Sequence, residues 1–248
     1  MKKVSAILFS LFIAATGLFA DIAVSGGEGY KTLTKDNFTY TATMQVSDDY
    51  NYFFGIIKVE SIKEPKYSYK VPIYAIKLDQ ALEGDVQWLF IETIEFKNNT
   101  TLSILNEHGI SFELNINTFE VKCANTKNNL FKFIYPGWKY ECISGNVNEL
   151  YEKNFKKIVT KNAKHKYKGT QSEVKKLTKL EDIVNVAEQA LFEIYGKENI
   201  RDEQPYRISK YKNKWIVQGS LQKENLGGVF EIIINAETSQ IESVIHGE

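Results

Sequence analysis

Three histidines, two cysteines and scattered carboxylates are the side chains from which this 248-residue sequence would have to build an active site. Their spacing does not assemble one. His108 precedes Gly109 in a turn, His165 lies among lysines, and His246 closes a strand-like run near the end of the chain. A general base needs its proton donor within hydrogen-bond reach, and a nucleophile needs such a base beside it. No serine, cysteine or aspartate stands at a spacing that would pair it with one of these imidazoles. The sequence contains no G-x-S-x-G elbow, no H-E-x-x-H and no C-x-x-C. Ser25-Gly26-Gly27-Glu28-Gly29 has the glycine density of a phosphate loop but no strand–loop–helix context, so it reads as a flexible N-terminal segment. Asp48-Asp49 and Glu181-Asp182 are acidic pairs of an ordinary surface kind. The expectation is a chain with no catalytic residue and no cofactor. Metal is not expected either, since two Cys and three scattered His do not supply a zinc set.

The cysteines suit structure better than chemistry. In an exported chain, Cys123 and Cys142 most simply form one disulfide. Closing a loop of about 20 residues would stabilise the fold by roughly 3 kcal/mol. Export is expected from the first twenty residues. Lys2 and Lys3 form a short basic region, Val4 to Ala20 is almost wholly apolar, and Asp21 begins a polar chain, the pattern of a secretory signal peptide over 1–20. The expected location is periplasmic or secreted, with no stable membrane insertion once the signal is removed.

The remaining chain is of ordinary globular composition, with 43% hydrophobic and 13% aromatic residues and zero net charge. Nothing global calls for nucleic acid or a membrane surface. Locally, charge is segregated. Ten lysines and one acidic residue, Glu173, lie between Lys153 and Lys179. This stretch, with Lys156, Lys157, Lys164, Lys166 and Lys168 at its centre, reads as an inter-domain linker that doubles as an electrostatic rim for an acidic partner. It holds no arginine for bidentate phosphate recognition, and Phe155 and Tyr167 are too far apart to stack bases.

The elements that would position these residues fall into two groups, giving an α+β chain. From 21 to 150 the reading is a mostly antiparallel β domain, a meander or sandwich, with strands over 37–46, 52–59, 71–78, 86–96, 101–105 and 110–121. Phe131 to Tyr140 reads as a strand broken by a Pro136-Gly137 turn. After the linker at 151–177 comes a second unit, 178–248. Thr178 and Glu181 fit a capping box. Leu180, Ile183, Val184, Ala187, Ala190, Leu191 and Ile194 form an apolar stripe uninterrupted by polar residues, and Gly196 ends the helix. Four strands follow, over 206–211, 214–221, 228–235 and 240–246, so that one helix lies on a curved four-stranded antiparallel sheet.

Within this second unit, Ala190-Leu191-Phe192-Glu193-Ile194-Tyr195-Gly196, Gln204-Pro205-Tyr206, Trp215-x-Val217-x-Gly219-x-Leu221, Gly227-Gly228-Val229-Phe230 and His246-Gly247 occur in order. The series resembles the immunity proteins of bacterial polymorphic toxin systems that have a nuclear transport factor 2-like fold, over about 177–248. The resemblance implies a protein that binds and neutralises a secreted toxin domain, and brings no catalytic residues with it. Tyr206, Trp215, Gly227, Gly228 and His246 are the candidate partner-binding positions. Two readings of the glycines stand side by side. They let a bent sheet curl beneath the helix, or they leave a bare backbone ledge for a partner's loop. Against immunity stands a cell-envelope module that holds a small ligand or serves structure, and an enzyme using the same cone. A polar group facing a wide cavity would favour these; a filled interior would favour immunity.

Overall fold

The computed structural model describes residues 31–124, 147–153, 167, 169, 176–221 and 228–247, with the backbone alone for 130–135 and 138–143. The apolar run at 4–20 therefore lies outside the described residues. The N-terminal strands are β1 (Thr32–Lys35), β2 (Phe38–Val46), β3 (Tyr52–Ser61) and β4 (Tyr67–Lys77), antiparallel neighbours in chain order. β5 (Ile91–Phe96), β6 (Thr101–Asn106), β7 (Ser111–Asn115) and β8 (Val121–Cys123) form a separate four-stranded sheet. β9 (Leu130–Tyr135) and β10 (Trp138–Ile143) pair antiparallel where one interrupted strand is expected, and Pro136-Gly137 lie outside the described residues.

Two expected strands are shorter than their apolar runs. Asp85–Gln87 is a 3-10 turn, not strand, and only 91–96 pairs. The 110–121 run breaks in two, because Asn115 Oδ1 accepts from the amides of Asn117 (2.9 Å) and Thr118 (3.1 Å), drawing the chain into a turn. Side-chain hydrogen bonds to the local backbone override β-propensity here.

The C-terminal elements are α1 (Val147–Glu152), α2 (Leu180–Tyr195), α3 (Lys197–Arg201), β11 (Tyr206–Tyr211), β12 (Lys214–Gln218), β13 (Phe230–Asn235) and β14 (Ile241–His246). The last four form the expected antiparallel meander. The expected boundary between two domains, however, runs through a continuous sheet. β11 pairs in parallel with the start of β4, Tyr206 opposite Tyr67 and Ile208 opposite Tyr69, and extends the order to β1-β2-β3-β4-β11-β12-β13-β14. The end of β4 instead pairs with β10, so the sheet forks at β4. Parallel strands need a long connection, and the chain between β4 and β11 contains the whole smaller sheet.

One core joins these pieces. The smaller sheet packs over β2–β4 through the ring pairs Tyr40–Phe96, Tyr74–Phe112 and Tyr69–Phe119. The same core continues into Leu180, Ile183, Val184, Ala187 and Leu191 of α2 and Val217, Phe230, Ile232 and Ile234 beneath them. On the opposite face, Val147 and Tyr151 of α1 cover Phe54, Ile56 and Ala75.

α2 departs from its expected start and stripe. Lys179, not Thr178, is the N-cap, and no side chain caps the helix. Ile194 is 47% exposed, while Glu188 is buried at 6%. Glu188 lies four residues after Val184 and three before Leu191, so helical geometry puts it on the apolar face. Gly196 ends the helix, but at φ 85° and ψ 147° it lies outside the left-handed helical region expected of it.

Candidate functional site

The residues from Arg201 to β11 are tied on every side, and Tyr206, Gly228 and His246, three of the five candidate partner-binding positions, gather around them. Arg201 reaches Glu188 Oε2 (3.5 Å). Glu203 accepts from the Phe230 amide through Oε2 (2.8 Å) and meets His246 Nε2 through Oε1 (2.7 Å). Its carbonyl accepts from the Ser220 amide (2.7 Å). Gln204 Oε1 accepts from the Lys66 amide (2.8 Å), and the Tyr206 amide donates to the Lys66 carbonyl (2.9 Å), starting the parallel pairing with β4. The Tyr206 hydroxyl donates to Glu188 Oε1 (3.0 Å). Burial, and then the charge of Glu188, push the Tyr206 phenol well above its usual range, so it remains a donor.

Two glycines make room for this joint. A Cβ at Gly219 would lie 2.1 Å from Glu203 Oε2, so only glycine lets that carboxylate sit flat on the end of β12. A Cβ at Gly228 would lie 2.2 Å from the Gly247 Cα. The space beside Gly228 is therefore occupied by the Gly247 backbone, which supports the architectural reading of this glycine. Gly227 lies outside the described residues.

His246 is engaged at both nitrogens. Nε2 meets the Glu203 carboxylate and Nδ1 meets the Gly247 carbonyl at 2.8 Å. Both ring nitrogens are thus turned to the protein's own acceptors, one on Glu203 and one on the neighbouring backbone. The ring also packs against Tyr195, centroids 5.0 Å apart. This geometry makes a clasp between β14 and the α3–β11 connection.

Tyr206 and Trp215, candidate partner-binding positions of which Trp215 reads equally as architecture, are 1% and 2% exposed and have no surface to offer. Trp215 Nε1 donates to the Leu177 carbonyl (3.2 Å), fixing the chain as it enters α2. Among the described residues no disulfide is present, and the expected Cys123–Cys142 pairing is not shown. Cys123 is a free thiol whose Sγ faces the Ser111 carbonyl at 3.6 Å. Its strand β8 belongs to the smaller sheet, whereas Cys142 lies on β10 in the larger one, and the Cys142 side chain lies outside the described residues. Lys156, Lys157, Lys164, Lys166 and Lys168 lie outside the described residues too. Among the described residues no group of three or more His, Cys, Asp or Glu could hold a metal ion.

Glu188, Arg201 and Glu203 were missed. Glu188 was legible, as a carboxylate at core spacing on an apolar stripe. Glu203 had no local signal, since its partners lie 27 and 43 residues away. Beside this joint, Glu60, Ser61, Glu64, Lys66, Tyr67, Arg201, Asp202, Gln204 and Pro205 line an open cleft of about 660 Å³. Its cations are turned to the protein: Arg201 to Glu188 and the Phe192 ring, Lys66 Nζ to the Ile62 carbonyl.

Residues 183–248, from within α2 to the end of the chain, match the family described as NTF2 fold immunity protein. No curated protein and no solved structure matches the chain.

Proposed function

We propose that this chain is an exported immunity protein that neutralises a cognate secreted toxin domain by binding it, without catalysis of its own. The observation that carries the reading is the family match over 183–248, the segment in which the sequence blocks converge on one joint. The packing between α2 and the sheet supports binding over ligand-holding. Leu180, Ile183, Val184, Ala187 and Leu191 fill the space above Val217, Phe230, Ile232 and Ile234. The one carboxylate that α2 turns inward, Glu188, is closed off by Tyr206 and Arg201. Occluding a toxin's active site requires a complementary surface of about 1,200–2,000 Å² with a few buried anchors, and no reactive group. Export is proposed from the signal-like run at 1–20.

The test is to tag the mature chain and recover it from crosslinked envelope fractions of its own organism, identifying partners at two salt concentrations. A stoichiometric partner that carries a toxin domain, whose activity falls when the purified chain is added, is the expected result. Recovery of the chain alone, where the toxin is demonstrably made, would overturn the proposal.

A further inference from the structure

The end of the larger sheet remote from the Glu203 joint presents an aromatic side chain that the fold itself does not use. Tyr50, in the β2–β3 connection, is 68% exposed and sits at φ +55°, a conformation that residues with a Cβ avoid. The loop holds it there firmly. The Tyr50 amide donates to the Ser47 carbonyl (2.9 Å), and Ser47 Oγ accepts from the amides of Asn51 (3.1 Å) and Tyr52 (2.9 Å). Ser47 Oγ also donates to Asp49 Oδ1 (2.6 Å). Gln80 Nε2, from the connection after β4, donates to the Tyr50 carbonyl (2.7 Å) and joins the two loops.

That second connection is equally fixed. Gln87, 3% exposed, accepts from the Asp79 amide (2.7 Å) and donates to the carbonyls of Asp79 (3.0 Å) and Glu83 (3.2 Å). It presents Leu82 and Val86, 37% and 47% exposed. Tyr50, Leu82 and Val86 are three of the six large apolar side chains exposed among the described residues, so half of them fall in two linked loops. Rigid presentation of apolar side chains lowers the ordering cost of association.

Charge identifies what could cover them. Between Ser47 and Tyr52 and between Lys77 and Trp88 stand Asp48, Asp49, Asp79, Glu83 and Asp85 against one base, Lys77. Hydrogen bonds from Ser47 and Asn51 hold the Asp49 carboxyl below its usual range, keeping it ionised. Such a pole repels a nucleic acid, an anionic lipid surface and a second copy of itself. We infer that Tyr50, Leu82 and Val86, with the carboxylates around them, form a docking surface for a basic face of a partner protein, Tyr50 being the central anchor. Tyrosine is enriched among residues that dominate binding, and a ring of opposite charge sets the encounter rate. Residues 31–124 lie outside the family match, so this surface adds to the proposed immunity function, on which it rests only for the partner being a toxin domain.

The experiment places the photo-crosslinker p-benzoylphenylalanine at Tyr50, at Val86 and, as a control in the β7–β8 turn, at Thr118, in the full chain made in its own organism. Expected are adducts from positions 50 and 86 but not 118, mapping to a partner segment with a surplus of Lys and Arg. With that partner purified, Tyr50→Ala should weaken binding by about 10- to 100-fold at unchanged melting temperature. Raising salt from about 0.15 to 0.5 M should weaken the wild-type complex several-fold. No adduct, equal adducts at Thr118, an acidic contact segment or a second copy of this chain would overturn the surface. A basic partner without a toxin domain would sink immunity and keep the surface. A toxin recovered by the tagged chain, with no adduct from 50 or 86, would do the reverse.

Discussion

Adding one methyl group at Gly228 tests how the C-terminal unit closes. The new Cβ would stand 2.2 Å from the Gly247 Cα and 2.4 Å from its carbonyl carbon. Carbon atoms in contact keep about 3.5–4.0 Å, so one backbone must retreat by roughly 1.5 Å. No flexible side chain can absorb that shift. Gly228 itself does not occupy the left-handed region. Alanine is therefore conformationally admissible there and, on unfolded-state entropy alone, would stabilise by about 0.4–1 kcal/mol. Against this stand overpacking at about 1–3 kcal/mol and the Gly247 amide bond to the Val229 carbonyl at about 1 kcal/mol. Gly228→Ala should thus destabilise by about 1–4 kcal/mol, a fall of roughly 3–12 °C for a chain of this size. The assay is thermal unfolding by circular dichroism, with a second background in which Gly247 and Glu248 are deleted. Deletion removes the colliding atoms, so the alanine penalty should largely vanish there. A penalty equal in both backgrounds would mean the collision is not its cause. A Gly228→Ala protein that melts like wild type yet no longer binds its partner would refute the architectural reading and restore the open ledge.

Tyr206→Phe should cost about 1–3 kcal/mol in urea unfolding, because Glu188 stays buried and keeps only Arg201 at 3.5 Å. Asp49 has a depressed carboxyl, so its contribution to stability is present above the unfolded value near 3.9 and is lost as pH falls through the lower folded value. Carbon-detected NMR titration should show that depression, and Asp49→Asn should flatten the acid limb of the stability curve. Without prior reduction, Cys123 should take up one alkylating group in the folded chain, read by peptide mass; protection until reductant is added would reinstate the disulfide.

Periodicity made the elements legible, and hydrogen bonds at long sequence separation hid their arrangement. The helix and the four-strand meander followed from apolar spacing and from the turns at Lys212-Asn213 and Ala236–Ser239. The parallel pairing of β11 with β4 could not, since its register is set by Lys66 meeting Gln204 and Tyr206 across 138 and 140 residues. Reading 21–150 and 178–248 as separate units was the natural consequence, because the intervening lysines resemble a linker. Tyr206 and Trp215 stand in the blocks that carry the resemblance, and their polar tips find partners inside, Glu188 and the Leu177 carbonyl. His246 was legible as a terminal imidazole, while its role depends on Glu203, invisible until the chain folds.

The residues that carry the family resemblance are thus mostly those that join the fold. Gly219 admits Glu203, Gly228 admits Gly247, Trp215 fixes the entry to α2, and Gln204 with Tyr206 fixes β11 onto β4. Such positions are poor places from which to choose a partner, since changing any of them alters stability before it alters recognition. Choice belongs on exposed, rigidly held side chains whose replacement leaves the core untouched. Tyr50, Leu82 and Val86 meet that condition and lie outside the matched segment. The two groups should therefore separate experimentally. Substitutions at Gly219, Gly228 or Tyr206 should lower melting temperature and binding together, in proportion. Substitutions at Tyr50 or Val86 should lower binding alone, and a melting change of equal size at Tyr50 would return that residue to architecture.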